Sequence, residues 1–285
     1  MARSVASVNR APVTGMLPGI KLPLVFLLTA LLCFSYSAVV TAQQPFVTDD
    51  ADTTPKRKFH FEFSNEFDWL QRSAAPALRQ NTADFEVAYG LFEDVEISVA
   101  APFLTIFSAR GTVPRRLNGI GDMSASVKYN FLKESEKSSR PAMAVTVNLE
   151  LPTGDISRQL GSGLTDVFIN GIVQKSVTTK TKLRFNSGIL FSGNTTTGAI
   201  GIRSRGTVFT STGSVVRQFS PKLQLGGELA GAFARNAQLG KGQLQAMFGG
   251  NYQLRKNASF DFGLVAGKYD GSPRAGIQLG VSVDF

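Results

Sequence analysis

Alternation of apolar and polar side chains at every second residue runs through most of this chain and limits its fold more than any other feature. In Lys58–Leu70, Phe59, Phe61, Phe63, Phe67 and Trp69 share one face, whereas His60, Glu62 and Asp68 share the other. A period of two is typical of a β-strand with one apolar face. The pattern recurs in eleven further segments and therefore predicts an all-β protein of about twelve strands. The predicted strands are Lys58–Leu70, Asn81–Leu91, Val95–Phe103, Asp122–Phe131, Met143–Leu151, Asp166–Gln174, Lys182–Phe191, Gly206–Phe219, Leu223–Phe233, Gln243–Leu254, Phe260–Leu264 and Ile277–Phe285.

The length of these segments separates the two architectures that use such strands. Strands of a soluble sandwich usually have about 5–6 residues, whereas a tilted membrane strand needs about 9–11. Most of the predicted strands are of the longer kind. Their polar face carries full charges in mid-strand, and their apolar face is almost free of charge, as a lipid-facing exterior and a wet interior require. The pattern therefore predicts a transmembrane antiparallel β-barrel; only Gly206–Phe219 fits with either face outward.

The connections between the predicted strands support the barrel. If the mature chain starts in the periplasm, connections on the inner side are mostly short and several on the outer side are longer, as in outer-membrane barrels. The inner connections are Phe92–Asp94, Lys133–Arg140, Ser176–Lys180, Ser220–Pro221 and Arg255–Asn257, and the longer outer ones are Thr105–Asn118, Pro152–Gly163 and Ser192–Arg205. Tyr89, Tyr129 and Tyr252 would form the inner aromatic girdle, and Trp69 and Phe103 part of the outer one.

The first 42 residues resemble a secretory signal peptide. Arg3, Arg10 and Lys21 precede an apolar stretch, Leu22–Phe34, and no acidic residue is present before it. Val40-Thr41-Ala42 then has small side chains at the positions that a cleavage site requires. Cleavage is expected after Ala42, with Ala38 as an alternative site and an uncleaved membrane anchor as the rival interpretation.

Residues 43–57 are too polar to span a membrane and precede the first strand, so the predicted organisation is a signal peptide (1–42), a periplasmic N-terminal segment (43–57) and a barrel (58–285). The segment either enters the inner mouth of the barrel as a plug or forms a flexible tail. The single cysteine, Cys33, lies in the leader, and Leu32 before it argues against lipid attachment. An exported, cysteine-free chain with one histidine has no Cys/His zinc site, and its net charge of +9 comes without a nucleic-acid motif.

Three short motifs resemble landmarks of an outer-membrane β-barrel transporter-like family labelled for the meta-pathway of phenol degradation. Pro45–Thr53 is similar to its P-x-x-T-D-D opening, which includes Asp49 and Asp50. Gly119, Gly121 and Asp122 open a predicted strand, and Pro152, Thr153 and Gly154 follow another. The terminal Phe285 resembles the aromatic signal read by the barrel-assembly machinery. The family label implies handling of aromatic compounds.

The polar face of the predicted strands supplies the candidate solute path. The lumen-lining candidates are His60, Glu62, Glu66, Asp84, Glu86, Glu96, Lys128, Glu150, Asp166, Lys182, Arg184 and Glu228, with Asp68 and Lys222 as further charges. Acids concentrate on the first three strands and bases on others, which predicts a transverse field that favours small polar or cationic solutes. The alternative is that these charges pair and fill the barrel.

Two further sets of residues suggest chemistry. His60 is the only histidine, so a Ser–His lipid hydrolase would depend on it, but its predicted position is a hydrogen-bonded one inside the barrel. The outer loops carry a set of basic residues that would suit lipopolysaccharide phosphates or simply be solvated. These are Arg110, Arg115, Arg116, Arg158, Arg203, Arg205, Arg235, Lys241 and Arg274, and the opposing acids are Asp155 and Asp270.

Together these features predict a passive outer-membrane channel or transporter for small solutes, which by the family resemblance include aromatic or hydrophobic compounds. It would work without cofactor, metal or catalytic residue. Its expected partners are outer-membrane lipid, lipopolysaccharide, the assembly machinery and the solute, and not nucleic acid. The alternatives are a structural or sensing barrel with a packed lumen and a lipid-modifying enzyme.

Overall fold

The computed structural model describes residues 45–135, 139–192, 195–202, 206–234 and 242–285. The predicted signal peptide lies outside these ranges, as do the predicted loop cations Arg203, Arg205, Arg235 and Lys241. Among the described residues, no helix has both the length and the apolar character needed to cross a lipid bilayer.

Twelve long strands and three short ones make up the described fold. The long strands are β1 (Phe59–Trp69), β2 (Ala77–Phe92), β3 (Val95–Ser108), β5 (Met123–Leu132), β6 (Ala142–Leu151), β7 (Asp166–Thr178), β8 (Thr181–Ser192), β11 (Gly206–Ser220), β12 (Leu223–Ala234), β13 (Gln243–Arg255), β14 (Ala258–Gly267) and β15 (Ala275–Asp284). The short ones are β4 (Arg116–Ile120), β9 (Thr195–Thr197) and β10 (Ile200–Ile202). Single 3₁₀ turns occur at Arg72–Ala74 and Ile156–Arg158.

The twelve long strands form a closed antiparallel ring. Each pairs with its neighbour in the chain, and the ring closes because β1 pairs with both β2 and β15. The last residue belongs to this closure, since Phe285 N–H donates to the Phe59 carbonyl at 2.9 Å. A closed ring leaves no unpaired strand edge, which is the condition for a sheet in lipid. The prediction of a twelve-stranded transmembrane barrel is confirmed.

Side chains sort across the barrel wall by parity, as the alternation predicted. Phe85, Phe185, Phe233 and Phe248 are among the large apolar side chains exposed on the outside, and polar residues such as Glu62, Gln174 and Ser282 are buried inside. The ambiguous segment, β11, is settled in the same way: Val208, Ser214 and Val216 are buried, whereas Phe209, Val215 and Phe219 are exposed. The exterior is therefore an apolar surface suited to lipid contact.

The two ends of the barrel differ in their connections. At the turn end, where the N-terminal segment enters β1, connections such as 93–94, 179–180, 221–222 and 256–257 have two residues. At the loop end, the connections are longer. Two of the predicted outer connections contain strands of their own. Phe103–Phe107 pairs with Arg116–Ile120 in a β3–β4 hairpin, and the connection after β8 contains the paired strands β9 and β10.

Candidate functional site

The N-terminal segment, defined here as residues 45–57, lies inside the barrel. Phe46, Thr48, Asp50 and Ala51 are all buried, although no strand of the sheet includes them. The segment leaves the lumen at the turn end beside Gly90, whose carbonyl accepts from Arg57 N–H at 2.7 Å. A plug role for the segment, one of the two interpretations open from sequence, stays a prediction.

Three acidic residues of the segment contact the basic side chains of the lumen. Asp49 Oδ1 lies 2.9 Å from Lys128 Nζ, and Asp50 Oδ2 lies 3.2 Å from Arg184 Nη2. Asp52 Oδ2 lies 3.6 Å from Lys182 Nζ. The Asp50–Arg184 pair is almost fully shielded from solvent, with 2% and 4% of the side chains exposed. The structure thus gives the aspartates of the P-x-x-T-D-D motif a place opposite lumenal bases.

Hydrogen bonds from wall to segment extend this attachment. Glu96 Oε2 accepts from both Thr54 N–H and Thr54 Oγ1 at 2.6 Å, and Glu228 accepts from Thr48 N–H. Asn130 donates its amide to the Ala51 carbonyl. Three polar groups of the segment's backbone are thereby paired with side chains of the barrel, as a non-helical, buried segment requires.

Glycines that point into the lumen make room for the segment. A Cβ at Gly249 would lie 2.8 Å from Pro45 Cγ, and one at Gly226 would lie 3.0 Å from the Phe46 ring. A Cβ at Gly90 would lie 2.2 Å from the Pro55 carbonyl oxygen. Among these three positions, the backbone of the segment approaches closely only at Gly90, where glycine is required for that reason. At Gly249 and Gly226, carbonyl oxygens of the barrel strands, those of Phe262 and Val215, lie nearer still than the side chains of the segment.

Apolar contacts complete the fit of the segment. Phe46 packs in the lumen against Val216, Met247 and Val265, and Ala51 against Ala142, Ala144 and Ile172. Burial of one aromatic side chain contributes about 1.5–3 kcal/mol. Phe46 is therefore the main apolar anchor of the segment. Its partners are apolar although they face the lumen, because they pack against this ring.

A second part of the lumen is polar and only half-buried. It comprises inward side chains of β1, β2, β5 and β6, none of which hydrogen-bonds to the N-terminal segment. These are Ser64, Glu66, Thr82, Asp84, Glu86, Ser124, Ser126, Thr146, Asn148 and Glu150. Because they face inward and still have accessible surface, this side of the lumen contains space for water. We call it the hydrated wall.

His60 sits at the turn end between two carboxylates. Its Nδ1 lies 2.6 Å from Asp284 Oδ1, and its Nε2 lies 2.9 Å from Glu62 Oε1. A catalytic histidine needs one ring nitrogen directed at a nucleophile. Both nitrogens of His60 are occupied by acids instead, which is the arrangement of a charged, structural histidine. The described residues contain no cluster of three or more His, Cys, Asp or Glu side chains suited to a metal ion.

At the loop end, the two other family-like motifs meet. Asp122 Oδ1 accepts from Gly154 N–H at 2.9 Å, and Thr153 Oγ1 donates to the Gly121 carbonyl at 3.0 Å. Asp122 also accepts from Ser162 N–H. A buried acid thus holds the loop 152–165 against the barrel rim. On the same loop, the hydroxyl of Ser157 lowers the pKa of the exposed Asp155 carboxyl by hydrogen bonding to it.

This loop closes over an apolar cluster that the sequence did not predict. Leu160 is 1% exposed and packs with Leu70, Ala77, Leu104 and Ile106. Gly119 allows the contact, because a Cβ there would lie 2.8 Å from Leu160 Cδ1. A neighbouring cluster at this end joins Ile202, Val208, Ala232 and Ala234. We call these two clusters the apolar cap. The sequence did contain one indication of the apolar cap: in β3, the apolar residues Leu104 and Ile106 occupy positions that face inward.

All twelve lumen-lining candidates face the interior, but they do not form one site. Glu96, Lys128, Lys182, Arg184 and Glu228 contact the N-terminal segment. His60, Glu62, Glu66, Asp84, Glu86, Glu150 and Asp166 lie elsewhere on the wall, where Glu150 and Asp166 are cross-strand partners. The expected lumenal position of Lys222 was wrong, since it is exposed in the two-residue turn before β12. The sequence analysis did not include Asp52 and the buried Asp261 among the lumenal charges, because no motif or spacing distinguished them from other acids.

The loop arginines within the described ranges lie on the surface. Arg110, Arg115, Arg116, Arg158 and Arg274 are all exposed. Arg116 and Arg79 each place their guanidinium group about 6 Å from the Phe107 ring, at 5.8 and 5.9 Å. Contact with lipopolysaccharide phosphates stays a prediction, as does the reading of Phe285 by the assembly machinery.

Comparisons with known proteins identify the architecture. Solved structures with a similar fold include a KdgM porin (10% identity, TM-score 0.53, covering 79% of this chain and 99% of that one) and a NanC porin (11%, 0.53, 79% and 98%). A KdgM porin in complex with disordered oligogalacturonate gives 12% identity and a TM-score of 0.52 over 79% and 99%. The fold is similar to that of these solved barrels.

Neither of the other two comparisons gives a relative. No protein-family model matches the chain. No curated protein matches it either. The resemblance to the meta-pathway family therefore stays a prediction that rests on the three motifs, although the structure places those motifs in specific contacts.

Proposed function

We propose that the protein is a passive, non-enzymatic channel of the bacterial outer membrane for small solutes. The observation that carries this proposal is the hydrated wall: polar side chains of β1, β2, β5 and β6 that face the interior of a closed barrel and yet are only partly buried. Twelve strands lie between the roughly eight that side chains alone can fill and the 16–18 of open porins. A narrow path is therefore the expected product of this architecture.

The N-terminal segment narrows that path at the turn end. It is attached by ion pairs and hydrogen bonds and not by pairing along a barrel strand, apart from a bridge between Lys56 and Gly90. The apolar cap narrows the path at the loop end. In this proposal, solute passes along the hydrated wall, and its flux rises when either closure moves.

A barrel with a packed, non-conducting lumen is the second candidate. It is favoured by complete burial at both ends, namely of Ala51 in the segment and of Leu104 in the cap. Under this alternative, the N-terminal segment is a permanent part of the core. The two candidates differ in whether solute crosses a membrane that contains the protein.

Two considerations bear on the class of solute. An aromatic or hydrophobic solute is implied by the family resemblance, and the apolar cap offers such a molecule a contact surface at the loop end. Oligogalacturonate, which a KdgM porin binds in a solved complex, is a polyanion. The acidic hydrated wall of this chain repels polyanions, so we do not extend that solute to it.

Swelling of liposomes that contain the refolded full chain tests this proposal. We expect swelling in small sugars or amino acids, and faster swelling when residues 48–54 are deleted. A heat-dependent shift in gel mobility verifies that each variant is a folded barrel. If neither protein supports swelling with any solute, the channel is wrong and the packed barrel is correct.

A lipid-modifying activity would depend on His60. Because both of its ring nitrogens contact carboxylates, we expect His60→Ala to leave the lipid composition of host membranes unchanged. Analysis of lipid A acylation in cells that express either protein provides the measurement. Loss of an acylation difference in the variant would instead assign His60 a catalytic role.

A further inference from the structure

A single row of directly paired positions crosses seven neighbouring strands on the inside of the barrel. Each residue of the row is the cross-strand partner of the next. The row runs Ser282, Glu62, Glu86, Ala100, Ser124, Glu150 and Asp166 on β15, β1, β2, β3, β5, β6 and β7. Four of its seven members are acids, and Ser124 is a hydroxyl. We call it the acidic row.

The acidic row connects the two ends of the lumen. Strands in a barrel are tilted, so a line of cross-strand partners winds along the barrel axis instead of circling it at one height. Glu62 is the fourth residue of β1, which starts at the turn end. Asp166 is the first residue of β7, which starts at the loop end. A solute that follows the row therefore travels through most of the barrel.

Some acids of the row and of the strands that carry it have oxygens without hydrogen-bond partners. Asp68, six residues beyond Glu62 on β1, is 1% exposed, and its Oδ1 has no hydrogen-bond partner. Its neighbour on the same face, Glu66, is an acid as well. Asp84 Oδ1 and Glu150 Oε1 are shielded acceptors without a donor. A buried carboxylate oxygen without a donor is costly, and a cation that enters the lumen supplies what it lacks.

The bases of the lumen do not neutralise these acids. Lys128, Lys182 and Arg184 lie on β5 and β8, and each contacts an aspartate of the N-terminal segment. His60 is held by Glu62 and Asp284. In the part of the chain that the structure describes, no basic side chain forms an ion pair with Glu66, Asp68, Asp84, Glu86 or Glu150. The aspartates of the segment thus neutralise the basic residues of the lumen, and the acids of the opposite wall keep their excess negative charge.

We propose that the acidic row is a cation path and that the solutes of this channel are small cations, inorganic monovalent ions and protonated amines. This inference rests on the proposed channel function and specifies its solute class. Carboxylates along a narrow, low-dielectric passage focus the field and concentrate cations, while they exclude anions. The hydroxyls and amides of the hydrated wall, such as Ser126 and Asn148, replace part of the water around a passing ion.

Ion selectivity in planar bilayers tests the proposal with the full chain. A gradient of KCl across the bilayer gives the permeability of K⁺ relative to Cl⁻ from the potential at zero current. We expect a preference for K⁺ of about tenfold. In the double variant Glu86→Gln/Glu150→Gln, which removes two charges of the row and nearly keeps their shape, this ratio should fall towards one.

Two controls accompany this measurement. Asp155→Asn removes the same kind of charge from an exposed loop and should keep the selectivity of the natural chain. Heat-dependent gel mobility verifies that the double variant is folded. Glu66→Gln alone removes one charge of the hydrated wall outside the row and should give an intermediate ratio.

The outcomes separate this inference from the channel function. Currents that are unselective or prefer Cl⁻, or selectivity unchanged in the double variant, would contradict the cation path and leave the channel intact. Absence of current from the full chain and from the variant that lacks residues 48–54 would contradict the channel itself, and the cation path with it.

Discussion

The two closures of the lumen are built from different interactions. At the turn end, the N-terminal segment is held by ion pairs such as Asp50–Arg184, hydrogen bonds and one aromatic anchor, Phe46. At the loop end, Leu160 fills an apolar cap with Leu104 and Ile106. Loss of one partner of a buried ion pair leaves a costly unpaired charge. Loss of an apolar contact costs free energy in proportion to the volume of the cavity that it leaves. The turn end should therefore respond to charge, and the loop end to size.

The largest effect is expected at the buried ion pair. Arg184→Ala removes an ion-pair partner of Asp50 in a shielded site, which costs about 3–5 kcal/mol. The energy is lost from attachment of the N-terminal segment, so residues 45–57 should become sensitive to protease in the folded barrel. Limited proteolysis followed by mass spectrometry measures this release. A segment as resistant as in the natural chain would show that the pair does not hold it.

The next effect is expected in the apolar cap. Leu160→Ala removes a fully buried side chain, and such a change costs about 2–5 kcal/mol. Loop 152–165 should loosen, and trypsin should cleave it at Arg158 in intact vesicles. Ile156→Ala on the same loop is the matched control, because Ile156 is 61% exposed. Equal cleavage in the two variants would contradict the cap as the element that holds the loop.

A smaller effect is expected where a lumenal glycine meets the segment. Gly226→Ala places a Cβ 3.0 Å from the Phe46 ring and 2.6 Å from the Val215 carbonyl oxygen, and overpacking of this kind costs about 1–3 kcal/mol. Gly213→Ala is the control, since its nearest neighbour lies at 3.8 Å. Urea unfolding of the refolded barrels compares the two. A control variant that is destabilised as much as Gly226→Ala would refute the steric explanation.

The smallest effect is expected at an exposed ion pair. Lys133 Nζ lies 2.6 Å from Asp94 Oδ1 at the turn end, but both side chains are solvated. Asp94→Asn should leave the free energy of unfolding nearly unchanged, because surface pairs contribute little. The same urea titration measures it. A cost as large as that of Arg184→Ala would show that burial is not what distinguishes the two pairs.

The barrel could be predicted from the sequence because the alternation of apolar and polar residues can be recognised within each strand separately. Each strand must present apolar side chains to lipid and polar ones to the interior, so Phe85, Glu86 and Val87 report their own positions without reference to other strands. An exception such as Ile172, an apolar residue at an inward position, is visible in the sequence of its own strand. The cause of the exception, its contact with Ala51, is not visible there. Strand count and direction follow from the same rule.

Placement of the N-terminal segment could not be predicted in this way. Its contacts join residues far apart in the chain, such as Asp50 with Arg184 and Thr48 with Glu228. No periodicity encodes such pairs. The inward glycines were visible, yet a glycine in a strand has several explanations, and only the position of Pro45 and Phe46 selects one. The apolar cap was hidden for a similar reason, since its loop has no regular pattern.

The central claim of this account is that the N-terminal segment lies in the lumen, and an engineered disulfide tests it most directly. Pro45 Cβ lies 3.1 Å from the position of a Cβ at Gly263, close to the roughly 3.8 Å of a disulfide. The predicted mature chain has no other cysteine, so Pro45→Cys/Gly263→Cys isolates this one contact. The account predicts that mild oxidation of the folded barrel links the two cysteines, whereas Pro45→Cys/Leu264→Cys, with its second cysteine on the outer face, stays reduced. Free thiols in the first variant, or equal linkage in both, would contradict it.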